Sequence, residues 1–86
     1  MNINDLIAII KKKLQSNIVI ENIIIEDKTF LHKEHIGHKE GSFHLKLIIS
    51  SIELKKLNRI VANKKIYKAL NQELKDHIHS IQILIS

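Results

Sequence analysis

Leu6, Ile7, Ile10 and Leu14 recur at helical spacing, so the chain is expected to open with a helix. Asn2 stands where an N-cap belongs, with Asp5 three residues on, a weak form of the capping box. Ser16-Asn17 closes the run, and Lys11, Lys12 and Lys13 are expected in its last turn as a solvated helix end. Ile18-Val19-Ile20 and Ile23-Ile24-Ile25 are β-branched triplets, too short for a second helix. They predict a strand over residues 23–27, with the earlier triplet leading into it. A polar stretch over residues 28–42 follows and holds both glycines, Gly37 and Gly41. Residues 43–50 then alternate as a second strand. Strand, polar loop, strand is the pattern of an antiparallel hairpin with an enlarged tip, and loops of that length are often functional.

Beyond Ser50-Ser51, Leu54, Leu57, Ile60 and Val61 suggest a short helix. Ile66, Leu70 and Leu74 mark one face of a longer helix over residues 66–75. The pair reads either as one helix or as two with a bend near Ala62-Asn63. Ile81, Ile83 and Ile85 fall on one face of a terminal strand over residues 81–85. The predicted order is α-β-β-α-α-β, an α/β (α+β) domain over residues 1–86. A three-stranded sheet with helices on one face buries all these stripes.

Composition narrows the function classes. Eighty-six residues make one domain, and 44% apolar content is enough for it to fold alone. The chain has no cysteine, which excludes a disulfide framework and fits a reducing compartment. No apolar stretch approaches the ~20 residues of a membrane span. Met1-Asn2-Ile3-Asn4-Asp5 lacks a signal peptide's charged start. A soluble, cytoplasmic protein without membrane contact is expected. The net charge of +5 points to an anionic partner only weakly, because Arg59 is the sole arginine. Phe30, Phe43 and Tyr67 are too few to form a base-stacking platform.

Several chemistries are set aside. Gly37-His38-Lys39-Glu40-Gly41 lacks the spacing of a phosphate-cradling loop. There is no nucleophile elbow and no HExxH motif. Glu26-Asp27 reads as a polar strand end. No enzymatic activity is expected.

The histidines remain. His32, His35, His38 and His44 lie in one short segment, and His77 and His79 close the last helix. Imidazole is the commonest protein metal ligand, and the chain offers no thiolate beside it. The histidines are therefore half of a site that a partner completes, or they are structural. His79 is expected in the turn between the helix ending at residue 75 and the strand starting at Ile81, where a side chain projects from a rigid scaffold. Its bland alternative is a partly buried ring satisfied by backbone groups. His77 is expected to be solvated, and His44, at a strand start, to be structural.

Residues 66–74, Ile66-Tyr67-Lys68-Ala69-Leu70-Asn71-Gln72-Glu73-Leu74, and then Ile78-His79-Ser80-Ile81, resemble the helix and "hHAL" signature of the BolA family. Ile25-Glu26-Asp27-Lys28-Thr29 resembles that family's strand-ending "DES". His32, His35, Gly37, Glu40 and Gly41 resemble the extended loop of a bacterial subgroup. His44-Leu45-Lys46-Leu47 parallels the "HFxV" strand start, and Ser50 the strand-ending serine. The resemblance covers roughly residues 5–85. Five positions depart from it: Ala62-Asn63-Lys64 replaces the usual Arg-His-Arg, Lys55 stands for a glycine, and Ser80 for a small alanine.

The resemblance implies a fold related to the class II KH arrangement. It also implies a partner, a monothiol glutaredoxin with a CGFS active site, and a 2Fe-2S cluster shared with it. The glutaredoxin would supply its cysteine and a bound glutathione thiol. This chain would supply His79 and one loop histidine, acting in cluster trafficking, stress response or iron-linked regulation. The loop ligand stays open. His35, nine positions before His44, is favoured; His32 fits better counted from Asp27; His38 is the third choice. Alone, the chain is expected to be a monomer without cofactor. The alternative is a KH-like regulator of transcription. Its weak nucleic-acid face would be Lys55, Lys56, Arg59, Lys64, Lys65 and Lys68, although the segment has no GxxG loop.

Overall fold

The computed structural model describes residues 1–29 and 42–86. Helix α1, Ile3–Asn17, starts on Asn2, whose side chain accepts a 2.9 Å hydrogen bond from the Asp5 N–H. Leu6, Ile10 and Leu14 form its buried stripe. Each full burial of such a side chain contributes about 2 kcal/mol. The helix runs on past the lysines to Asn17, so no basic residue sits in its last turn. Lys13 is also not a solvated end: its ammonium bonds the Glu73 carboxylate.

Strand β1, Asn22–Asp27, pairs antiparallel with β2, Phe43–Ser50, as the hairpin pattern predicts. Strand β3, Ile78–Ile85, pairs parallel with β2 on its other side, giving the order β1-β2-β3. The antiparallel pair needs only a hairpin, whereas the parallel pair needs the helical crossover between them. Leu45, Leu47 and Ile49 of β2 and Ile23 of β1 face the core with the helix stripes. Ile24 and Leu84, on the opposite face, stay 47% and 40% exposed, so the helices cover one face of the sheet.

The crossover is neither one helix nor a bent pair. It comprises α2, Ile52–Lys55, α3, Arg59–Ala69, and α4, Asn71–Asp76. Chain direction changes at Leu57-Asn58, before the expected bend, because Asn58 caps α3 through the Val61 N–H. That cap sets the phase of α3. Ala62 and Ile66 turn inward while Ile60 is left 68% and Val61 44% exposed. The helix expected over residues 66–75 is broken at Leu70, which both ends α3 and precedes α4. Leu70 is fully buried at that joint. Among the described residues, no helix is long and apolar enough to cross a membrane.

Candidate functional site at the start of the last strand

The last strand begins three residues earlier than its apolar alternation suggests, at Ile78. His79 is therefore a strand residue and not part of a turn. Its position is nonetheless irregular. Phe43 stands opposite Ile78, but His44 stands opposite Ser80. Strand β3 thus carries one residue more than β2, and that residue is His79. A bulge of this kind re-aims a side chain and breaks the inside-outside alternation. The burial pattern agrees: Ile78 is buried, His79 and Ser80 are both exposed, and alternation resumes from Ile81.

His44 lies directly beneath. It is 7% exposed, and its backbone is held at both ends. The His44 N–H donates to Thr29 Oγ1 at 3.1 Å, and its carbonyl accepts from the Lys28 N–H at 2.7 Å. Thr29 is fixed in turn by Asp27, whose Oδ1 accepts from the Thr29 N–H at 2.9 Å. The polar strand end read from Glu26-Asp27 therefore works as a clamp on the second strand. The His44 ring is anchored too, with Nδ1 2.7 Å from Ser80 Oγ. Its centroid lies 4.8 Å from that of His79, the planes tilted by 54°. Lys28, Lys46 and Gln82 line the hollow beside the His44–Ser80 contact.

The result is an exposed imidazole on a rigid strand, backed by a second imidazole whose orientation is fixed. A neutral imidazole in such a setting can donate a lone pair to a borderline metal, and the neighbouring His44 ring, held by Ser80, stands against it. Among the described residues no three His, Asp, Glu or Cys side chains group around a common point, so any metal held here takes further ligands from elsewhere. His32, His35 and His38 lie outside the described residues. His77 is half-buried at the end of α4, with its carbonyl accepting from the Phe43 N–H at 2.9 Å.

His44 and Ser80 were not among the site residues the sequence picked out. A signal for their role existed: Ile78 and Ile81, three apart, are both apolar at a strand start, and strict alternation admits both inside only if one residue is extra.

The basic residues of the crossover are all exposed, but they do not share one face. Lys55 and Arg59 border a cleft against β3. Lys65 and Lys68 border another cleft, against Lys13 and Asn17 of α1. Lys65 is also paired with Glu53 at 3.0 Å.

Comparison with known proteins agrees with this fold. The DNA-binding transcriptional regulator BolA of Haemophilus influenzae is 29% identical over 75 residues, spanning 87% of this chain and 70% of its own. BolA1 from Arabidopsis thaliana superposes with a TM-score of 0.75 at 24% identity, covering 92% of this chain and 87% of its own. The BolA domain of SufE1 from Arabidopsis thaliana gives 0.77 at 23% identity, covering 100% and 93%. At that level of identity the two structures speak to the fold. A family profile described as "BolA-like protein" matches residues 14–86, the stretch that includes both strands of the histidine pair, and the chain belongs to that family.

Proposed function

We propose that this chain is an adaptor that grips half of a 2Fe-2S cluster through His79 and one histidine of the 28–42 segment. A monothiol glutaredoxin and its glutathione would supply the thiolates. The observation that carries the reading is the bulge. It puts the signature imidazole in solvent, on a strand paired with β2, against an anchored second ring. A chain without cysteine contributes no thiolate, and imidazole is the donor type that coexists with thiolates on such clusters. The bound cluster supplies redox chemistry and transferable iron and sulfide. Within this chain, His79 binds, the His44–Ser80 contact orients, and the Asp27–Thr29 clamp holds His44 in register. His35 is the favoured second ligand, His32 the next. The partner's thiols would persist in the reducing cytoplasm, where we place the complex.

The test is reconstitution with a monothiol glutaredoxin, iron, sulfide and glutathione. Adding the chain is expected to shift the cluster's visible absorption and circular dichroism. His79→Ala removes the shift while far-ultraviolet circular dichroism stays intact. A spectrum unchanged by His79→Ala overturns the assignment. His35→Ala and His32→Ala, made singly, choose the loop ligand.

A second reading, nucleic-acid-binding regulation, is favoured by the name of the Haemophilus relative; the cations it would use, Lys55, Lys56, Arg59, Lys64, Lys65 and Lys68, are exposed but divided between faces. A gel-shift titration across salt tests it. Binding that prefers one duplex and survives physiological salt supports regulation; equal, salt-labile binding to every duplex leaves only charge.

A further inference from the structure

Strand β3 is an edge of the sheet, and beyond the bulge at His79 nothing in its sequence protects it. Natural edge strands carry lysine, proline or other charges that discourage a new strand from adding. Residues 78–85, Ile-His-Ser-Ile-Gln-Ile-Leu-Ile, have no Lys, Arg, Asp, Glu or Pro.

Which backbone groups the edge offers follows from the end of the strand. The Ser86 N–H donates to the Ile49 carbonyl at 2.9 Å, and the Ser86 carbonyl accepts from the Ser51 N–H at 3.2 Å. Both Ser86 groups therefore point at β2. Alternation along a strand then turns those of Leu84 and Gln82 to β2 as well. The N–H and C=O groups of Ile81, Ile83 and Ile85 point the other way, off the sheet. Among the described residues, no hydrogen bond reaches them outside the pairing with β2.

A cleft of about 240 Å³ runs beside this edge, between β3 and the α2–α3 turn. Leu57, Ala62, Ile83 and Ile85 give it apolar walls, and Lys55 and Arg59 stand at its rim. Leu57, Ile83 and Ile85 are only half-buried, so they gain by being covered.

We propose that this edge and cleft form a docking site for an extended acidic peptide that adds as a fourth strand. Its backbone would pair with Ile81, Ile83 and Ile85. Alternate apolar side chains would enter the cleft, and acidic residues would meet Lys55 and Arg59. Strand addition draws affinity from the main chain and specificity from pockets for alternate side chains. The edge presents donors and acceptors in alternation, which matches a peptide. A DNA backbone offers acceptors only and would leave the three carbonyls facing anions. A second copy of this chain, adding through its own β3, brings no acidic residue to the two rim cations. The cleft lies toward the opposite end of β3 from His79, and the proposal stands independently of the cluster reading.

The probe is a set of nine-residue peptides alternating Glu with Val, Leu or Phe, followed by amide hydrogen exchange on the intact chain. Saturable binding is expected, with exchange at Ile81, Ile83 and Ile85 slowed about tenfold or more and exchange at Gln82 and Leu84 unchanged. Peptides N-methylated at alternate residues, or carrying Lys for Glu, are expected to bind at least about tenfold more weakly. Arg59→Glu lowers affinity for the acidic set. Ile83→Pro abolishes binding, since it deletes an outward N–H without touching the bonds to β2. No binding by any acidic peptide overturns the proposal. So does N-methylated peptide binding as well as its parent. Protection of the same three amides by a DNA duplex but not by peptide assigns the cleft to nucleic acid instead. Protection that grows with protein concentration alone assigns it to a second copy.

Discussion

The Lys13 ammonium donates to a Glu73 carboxylate oxygen at 2.6 Å, tying α1 to α4 across 60 residues of sequence. The Glu73 side chain is 8% exposed and that of Lys13 40%, so the carboxylate is the desolvated member. Its other oxygen, Oε1, has no hydrogen-bond partner among the described residues. Removing the cation leaves a buried charge with nothing opposite it. Lys13→Met is expected to lower stability by about 2 kcal/mol. Lys13→Met combined with Glu73→Leu recovers most of that loss. Urea midpoints for the two variants check this, and a double variant no better than the single one refutes the desolvation argument.

Ser80 fixes the orientation of the His44 ring, and its loss is felt at His79. Ser80→Ala deletes the 2.7 Å contact to Nδ1. A stability loss of about 1 kcal/mol is expected. On the proposed function, partner-dependent cluster affinity falls about tenfold, as second-layer changes at metal sites typically do. Reconstitution titrations against wild type read the affinity. Ser80→Thr, which keeps a hydroxyl, is expected to restore it.

Two helix caps in the crossover differ in what else they hold. Asn58 accepts only the Val61 N–H among its described side-chain bonds, at 2.9 Å. Ser51 accepts the Leu54 N–H at 3.1 Å and also donates to the Val19 carbonyl at 2.8 Å, joining the crossover to the segment after α1. It is 1% exposed. Asn58→Ala is expected to cost about 1 kcal/mol, and Ser51→Ala about 2 kcal/mol. Thermal or urea unfolding ranks them; equal losses would mean that the Val19 bond contributes nothing net.

The Glu53 carboxyl is held below the usual carboxylate range, chiefly by the hydrogen bond from the Lys65 ammonium and secondarily by its charge. A carboxyl whose folded value is lowered adds stability above its unfolded value and loses it as pH falls through the folded one. The pair is solvent-exposed, so its contribution is small and salt-sensitive. An NMR titration of the Glu53 side chain is expected to give a midpoint that rises in Lys65→Met and in concentrated salt. A midpoint indifferent to both changes would remove Lys65 as the cause.

The elements were legible where one local pattern decided them. Leu6, Ile10 and Leu14 sit on a helix whose cap is its own neighbour Asn2, and residues 43–50 alternate in a way only a strand satisfies. The crossover was legible in content and not in phase. Ile60 and Val61 are more apolar than Ala62, and from the chain alone they belong inside. The Asn58 cap sets the phase of α3 so that Ala62 turns inward instead, leaving the larger pair exposed.

The site divides the same way. Sequence marked His79 as the residue to examine, through composition and the spacing of its neighbours, because those are properties of the chain. It did not reveal that the residue is the extra member of a bulge, nor that His44 and Ser80 stand against it. Position 44 is 36 residues from Ser80 along the chain, and only the parallel register of β2 with β3 brings them within 2.7 Å. Parallel pairing forms through a crossover and is fixed by packing of the whole core. Which residues face one another across it is therefore a property of the assembled sheet, and no segment carries it alone.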